Sequence, residues 1–204
     1  SVERAALLPA LSVVGGVVER RQTLPILGHL LLVAEENALR LRGTDLEIEV
    51  SSKAAAEVHE SGAVTLPARK LIDIVRSLPE ESRIELKTQG DRANLLCHRS
   101  RFTLSTLAAA DFPSMDVPTA EVSLTLESEL LRRLLDKTAF AMAHQDVRYY
   151  LNGVLLEMNP QRIVAVATDG HRLAKVVGAV EDGAAGLESE PKQVIVPAKT
   201  VTEL

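Results

Sequence analysis

This sequence predicts an α+β architecture in which one arrangement, a helix set against antiparallel strands, is built twice. Three observations predict it. The stretch TLPILGHLLLVAEENALRLRGTDLEI from Thr23 recurs in DVRYYLNGVLLEMNPQRIVAVATDGHRL from Asp146, with Gly28 against Asn152 and, without a gap, Thr44-Asp45 against Thr168-Asp169. Further on, VTLPARKLIDI from Val64 matches VIVPAKTVTEL from Val194. The period is far above the roughly 20 to 50 residues of solenoid arrays, so it marks duplicated domains. Thirdly, apolar and polar residues alternate through most of both copies, which is the pattern of half-buried antiparallel strands. The expected domains are 1-117 and 121-204. The second copy stops at Leu204 in the middle of its own pattern, and the expectation is a truncated form of a longer protein.

The elements follow in order. From Glu3 to Val18, Leu7, Leu8, Leu11, Val14 and Val18 recur at helical spacing, with Pro9 inside and Gly15-Gly16 ending or breaking the helix. A polar loop, Arg20 to Thr23, precedes Pro25. Strands are expected at Leu27 to Ala34, Ala38 to Arg42 and Leu46 to Val50, with turns near Glu36-Asn37 and Gly43-Thr44-Asp45, and a strand region from Glu57 to Leu66 interrupted at Ser61-Gly62. Pro67 to Arg76 reads as a helix opened by Pro67 and stopped by Pro79. Arg83 to Lys87 and Arg92 to Cys97 form a hairpin around Gln89-Gly90-Asp91, and Arg101 to Leu107 is a further strand. Asp111 to Thr119, with two prolines, is the linker. The second unit reads as a short strand Val122 to Leu126, a helix from Ser128 to about Met142, a loop His144 to Arg148, and strands Leu151 to Met158, Ile163 to Thr168 and Arg172 to Val177. Glu181 to Lys192 is Gly-rich, acidic and expected to be mobile. The strand Val194 to Val196 then leads into a last helix.

Composition bounds the function. There are only three Phe and two Tyr and no Trp, so the cores rest on Leu, Val, Ile and Ala. Cys97 stands alone, which leaves no intrachain disulfide and makes a reducing, cytoplasmic setting the simpler expectation. No 18-residue apolar run is present, so no membrane association is expected. The net charge of −5 argues against a generic nucleic-acid footprint, but the charge is segregated. Seven acids oppose three bases between Glu35 and Glu60, whereas Arg69, Lys70 and Arg76 oppose only Asp73. A basic surface can therefore sit on an acidic protein.

Catalytic chemistry finds little support. The five histidines show no ligand spacing, and neither a phosphate loop nor a dinucleotide fingerprint occurs, so no metal and no cofactor is expected. Asp169, His171 and Arg172 allow two readings. One is an acid–base cluster; the other is a turn in which Asp169 caps backbone amides beyond Gly170. The first copy keeps Thr44-Asp45 but carries Leu46-Glu47 in place of Gly170-His171, which favours the turn. Tyr149-Tyr150, beside Gln145 and Arg148, can pack on a nucleic-acid backbone, or one ring can be a core aromatic while the other caps a loop. Arg21, Arg69, Lys70, Arg76, Arg132, Arg133 and Lys137 can neutralise phosphate if their faces converge, and are otherwise ordinary solvated charges. Arg99, Arg101 and Thr103 share one face of a strand and Phe102 and Leu104 the other, an arrangement that suits either a half-buried strand or an edge that pairs with another subunit.

Six motifs in order, TLPILGHLLL, GTDLEIEV, LPARKLIDIVRSLPE, SRFTLSTLAAADFPSMD, AFAMAHQDVRYYLNGVLLE and VATDGHRLAKV, closely resemble the bacterial DNA polymerase III beta subunit family, the replicative sliding clamps. The resemblance covers essentially the whole chain. It implies a DNA-clamp fold of similar domains, with sheets outside and helices lining the inner face. A homodimer of three-domain subunits then closes round double-stranded DNA without catalysis, while polymerase activity, a nucleotidyl transfer, belongs to the holoenzyme. Here the third domain is absent and the second incomplete, so ring closure is not expected.

By the same resemblance Arg21, Gln145, Tyr149, Tyr150 and Arg69 approach DNA. Leu151, Thr168, Gly170, His171, Arg172 and Leu173 form the pocket for client peptides of the polymerase III alpha subunit, the clamp-loader delta subunit and other clamp-binding-motif proteins. Lys70, Arg92, Arg99, Arg101, Phe102 and Leu104 lie at the dimer interface. Gln22 replaces a proline associated with better-known members. Two other readings compete: a small-molecule enzyme with an enclosed pocket around His171, and a peptide-binding module that does not act on DNA.

Overall fold

The computed structural model describes residues 1–18, 24–113, 124–180 and 191–204. The chain divides into two compact units, Ser1–Asp116 and Val117–Leu204. Arg21, most of the expected linker, the start of the expected strand at Val122, and nearly all of the acidic Gly-rich stretch from Glu181 lie outside the described residues.

Unit 1 begins with a two-residue strand β1 (Val2–Glu3), which pairs with β6 (Arg83–Gln89), and continues directly into α1 (Arg4–Gly15). Leu7, Ala10, Leu11 and Val14 of α1 are buried, at the helical spacing the sequence shows. Pro9 lies inside the helix on its exposed face, where water can satisfy the carbonyl of Ala5 that lacks its usual donor. Strands β2 (His29–Glu35), β3 (Ala38–Thr44), β4 (Glu49–Ala55) and β5 (Gly62–Pro67) form one antiparallel sheet in the order β4-β3-β2-β5, preceded by a 3-10 turn at Pro25–Gly28. A second sheet has the order β1-β6-β7-β8, with β7 at Arg92–Cys97 and β8 at Ser100–Ser105. Thr65 ties β5 to the segment after β8: its buried hydroxyl donates to the carbonyl of Leu107 at 2.8 Å and accepts the Leu107 N–H at 2.9 Å. Apolar side chains of α1, both sheets and α2 (Ala68–Ser77) meet in one core around Leu11, Leu30, Leu41, Leu66, Leu71, Ile84 and Leu95.

Arg4, at the start of α1, donates from Nε to the carbonyl of Val75 at 2.9 Å and from a terminal amino group to that of Arg76 at 3.2 Å. A cation on the last carbonyls of α2 satisfies acceptors that the helix leaves open and suits the negative end of its dipole. One side chain thus fastens the two helices end to end.

Unit 2 repeats the plan. Strands β9 (Gly153–Met158), β10 (Arg162–Thr168), β11 (Leu173–Ala179) and β12 (Lys192–Pro197) have the order β11-β10-β9-β12, matching β4-β3-β2-β5. The correspondence holds almost residue for residue: His29 against Gly153, Ala38–Thr44 against Arg162–Thr168, Glu49–Ala55 against Leu173–Ala179, and Gly62–Pro67 against Lys192–Pro197. It also reaches the first helix, since α3 (Ser128–Asp136) starts at the position equivalent to Arg4, and the last helix, α4 (Ala198–Glu203), stands where α2 does. Its core is built on Leu134, Leu135, Val154, Ile163 and Ala165. Gly178 lets α3 pack closely on β11: a Cβ there would lie 2.5 Å from Leu130 Cδ1, so that side chain would have to shift.

Several expectations are corrected. Leu46 to Ile48 alternate as a strand would but form the turn between β3 and β4, which Thr44 and Asp45 hold by side-chain bonds. Residues 57–61 are not strand, and β5 starts at Gly62. Leu124 to Leu126 are not in a strand. The helix from Ser128 stops at Asp136, because Thr138 turns its buried hydroxyl back onto the carbonyl of Leu134 at 2.7 Å and the chain tightens into a 3-10 turn at Ala139–Ala141. Tyr149–Leu151 is a 3-10 turn, and β9 starts at Gly153.

Candidate functional site

The loop after the 3-10 turn of unit 2 is organised by Asp146. Its backbone N–H donates to Asn152 Oδ1 at 3.0 Å, and Asn152 Nδ2 donates to its carbonyl at 2.9 Å. Its carboxylate accepts Arg148 Nε at 3.0 Å, an Arg148 terminal amino group at 2.8 Å and the Arg148 backbone N–H at 2.8 Å. The Arg148 guanidinium and amide hold the Asp146 carboxyl down at about 2. Gln145, just before, is exposed and has a left-handed backbone, φ 57°. Beyond Arg148, Tyr149 and Tyr150 meet edge to face with centroids 5.9 Å apart, and are 81% and 51% exposed. Neither ring is a core aromatic, which removes that reading. The sequence-predicted Gln145, Tyr149 and Tyr150 are thus gathered on one loop of unit 2. In unit 1, Arg69 and Lys70 stand with Arg76 on the exposed face of α2.

Thr168 and Asp169 build the second element. Thr168 Oγ1 donates to the carbonyl of Arg172 at 2.7 Å and accepts the N–H of Gly170 at 3.1 Å. Asp169 Oδ1 accepts the N–H groups of His171 and Arg172 at 2.9 and 3.0 Å. The same bonds occur in unit 1, from Thr44 to the Ile48 carbonyl and the Leu46 N–H, and from Asp45 to the N–H groups of Glu47 and Ile48. In both copies the third residue is left-handed: Leu46 at φ 78°, Gly170 at φ 88°. The Thr-Asp pair is therefore a scaffold of the turn. The amides of Arg172 and His171 hold the Asp169 carboxyl at about 2, which makes it a weak base, and its oxygens are engaged by those two N–H groups and by Arg172 Nε.

The two turns differ in what they display. At the position after the turn, unit 1 has Glu49, bound by both oxygens to Arg42 at 2.8 and 2.7 Å. Unit 2 has Leu173, 65% exposed. Gly170, His171 and Arg172 are also exposed, while Leu151 and Thr168 are half-buried. A Cβ on Gly170 would lie 3.4 Å from an Arg148 terminal amino group, so the loop of Asp146 and the turn of Asp169 are in contact. This is an open surface of apolar anchors beside polar edges, not the enclosed pocket around His171 that an enzyme reading requires. A concavity lined by Asn37, Ala55, Glu57 and Arg83 lies in unit 1 and involves none of these residues. Among the described residues no three His, Cys, Asp or Glu side chains are grouped to hold a metal ion.

On β8 the charged and apolar faces separate as the alternation predicts, and the apolar side faces the core. Leu104 is 6% exposed and belongs to the core, and Phe102 is half-buried against it. Arg92, Arg99 and Arg101 remain exposed. Among the described residues β8 pairs with β7 alone. Counted from the two-residue turn His98-Arg99, the ladder turns the N–H and C=O groups of Arg101 and Thr103 away from β7. The sequence reading missed Asn152 and Phe140: the first is read only through its contacts, and the second, an exposed ring, has no periodic signature.

Comparison with known proteins gives a consistent result. The family model "DNA polymerase III beta subunit, N-terminal domain" matches residues 1–116, and "DNA polymerase III beta subunit, central domain" matches 125–204. A beta sliding clamp of Pseudomonas putida is 48% identical over 206 residues, covering 100% of this chain and 55% of that protein. One from Proteus mirabilis is 51% identical over 205 residues, covering 100% and 54%. A crystal structure of a sliding clamp (DNA polymerase III subunit beta) from Pseudomonas aeruginosa bound to griselimycin superposes with a TM-score of 0.90 at 47% identity, over 99% of this chain and 54% of that one. The chain spans about half the length of the curated relatives it matches.

Proposed function

Because this chain belongs to the bacterial DNA polymerase III beta subunit family, we propose that it is the first part of a replicative sliding clamp: a non-catalytic ring that encircles duplex DNA and tethers the polymerase and other clients. The observation that carries this reading is the match of both domain models, one to each of two units with the same sheet order. Nucleotidyl transfer belongs to the polymerase that the ring holds. The setting we propose is the cytoplasm. No described helix is long and apolar enough to cross a membrane.

Enclosure makes each contact to DNA individually dispensable and independent of sequence, so a few Arg and Lys side chains on phosphate suffice. Arg69 on α2 and the loop of Gln145, Tyr149 and Tyr150 suit that role by exposure, and Arg21 is assigned to it from the sequence alone. The exposed turn Gly170 to Leu173, with Leu151 and Thr168, is the proposed client-peptide surface. An apolar anchor at Leu173 and polar groups at His171 and Arg172 can fix both the place and the direction of an extended peptide. Griselimycin is a reasonable ligand for the same protein on the strength of the Pseudomonas aeruginosa relative. The outward backbone groups of β8, with Arg92, Arg99 and Arg101 exposed nearby, fit the proposed homodimer contact by strand pairing, and Lys70 on α2 is assigned to that contact from the sequence alone. Peptides of the polymerase III alpha and clamp-loader delta subunits are the proposed clients.

The test is topological. The intact protein, loaded on a nicked circular plasmid, should stay on the circle and be lost after linearisation. Equal retention on both forms would defeat encirclement and leave the peptide-binding module as the reading.

A further inference from the structure

Phe140 is 59% exposed and takes no part in the core of unit 2, although a large apolar ring gains nothing from lying in water. The Arg172 guanidinium carbon stands 5.9 Å from the centre of that ring, within range of a cation–π attraction. On its other side Arg172 donates from Nε to Asp169 Oδ2 at 2.9 Å. The guanidinium is thus fixed by a carboxylate and a ring, while its terminal amino groups bond to nothing else among the described residues.

The internal repeat offers a control. Phe140 corresponds to Gly16 and Arg172 to Ile48, whereas Asp169 corresponds to Asp45. Unit 1 builds the same turn, with the same backbone bonds, using neither the ring nor the cation. The fold therefore does not need the pair, and both members occur together only in the copy whose turn displays Leu173. We infer that Phe140 is a positioning residue of the client-peptide surface: its ring holds the Arg172 guanidinium in place, so that the free amino groups are presented to the backbone carbonyls of an incoming peptide. The inference rests on the peptide-surface reading given above and deepens it. Ordering an arginine before binding removes side-chain entropy that binding would otherwise have to remove.

The test uses the intact protein and a fluorescein-labelled peptide carrying the clamp-binding segment of the polymerase III alpha subunit from the same source. Affinities are measured for F140L, F140W, R172A and F140L/R172A. Phe140→Leu keeps apolar bulk but no π face and should weaken binding about three-fold. Phe140→Trp should bind like the parent, and the double variant should bind no more weakly than R172A alone, because the ring acts through the cation. An R172A variant that binds like the parent overturns the peptide-surface reading and the proposal with it. A weakened R172A beside an unchanged F140L, or effects that multiply in the double variant, overturns the role of Phe140 alone.

Discussion

Asn152 holds Asp146 from both sides, its Oδ1 accepting the Asp146 N–H at 3.0 Å and its Nδ2 donating to the Asp146 carbonyl at 2.9 Å. A side-chain amide that imitates a strand partner in this way fixes the peptide plane on which Gln145 takes its left-handed φ of 57°. Asn152→Ala removes both bonds and should lower stability by about 1 to 2 kcal/mol. Amide exchange at His144 to Arg148 should accelerate while the strands β9 and β10 keep their protection. Unchanged exchange in the loop would show that Asn152 does not hold it.

Gly170 and Leu46 occupy one position of the duplicated turn, at φ 88° and 78°. Gly170→Ala places a Cβ where an L-residue is strained and should cost about 1 kcal/mol, read as a lower denaturation midpoint. Leu46→Gly relieves the same strain and should leave stability equal or higher. Opposite signs for the two substitutions support the shared backbone; a harmless G170A contradicts it.

The Asp169 carboxyl is pulled from its ordinary 3.8 to about 2 by the amides of Arg172 and His171, with the Arg172 guanidinium adding to the pull. Because the folded value is depressed, the stabilisation is complete above 3.8 and is lost as the pH falls through about 2. The turn should therefore keep its form from neutrality down to mild acid. An NMR titration of the carboxyl carbon should find its midpoint near 2. A midpoint at the ordinary value would mean that the amide bonds are not formed in solution.

Arg4→Ala frees the carbonyls of Val75 and Arg76 at the end of α2. The expected loss is about 1 kcal/mol in urea denaturation, with fraying seen first in the last turn of α2. Arg4→Lys retains the charge but has no fork to reach two carbonyls, and should recover only part of the loss. Full recovery by lysine would assign the effect to charge alone.

Much of the fold was legible because it is built twice: a repeat compares two solutions of one backbone. The boundaries of β3, β4 and β5 recur at the equivalent positions of β10, β11 and β12, and the Thr-Asp pair shared by both copies was readable as structural. Alternation misled at Leu46 to Ile48, where two side-chain caps and a positive φ outweigh the strand pattern. β1 was invisible because two residues pairing with Arg83 and Ile84, far along the chain, leave no local signature. Thr138 falls inside the helix expected from Ser128 to about Met142, yet its hydroxyl bends back and helps end the helix. In the candidate site, motif resemblance supplied Gln145 to Tyr150 and Gly170 to Leu173. Asn152 and Phe140 escaped because their work lies in a bond to a loop six residues back and in a ring under a cation from the turn of Asp169.

The duplicated turn also separates construction from display. The hydrogen bonds that the two copies share are made by the first two side chains, threonine and aspartate, and by main-chain groups that any residue carries. The three positions that follow owe the fold little beyond one left-handed backbone. After a duplication, such a segment can be rewritten in one copy without rebuilding the domain, while the other copy stays a plain support. Leu46-Glu47-Ile48 and Gly170-His171-Arg172 are two texts on the same frame, and novelty in this chain was cheapest to acquire there.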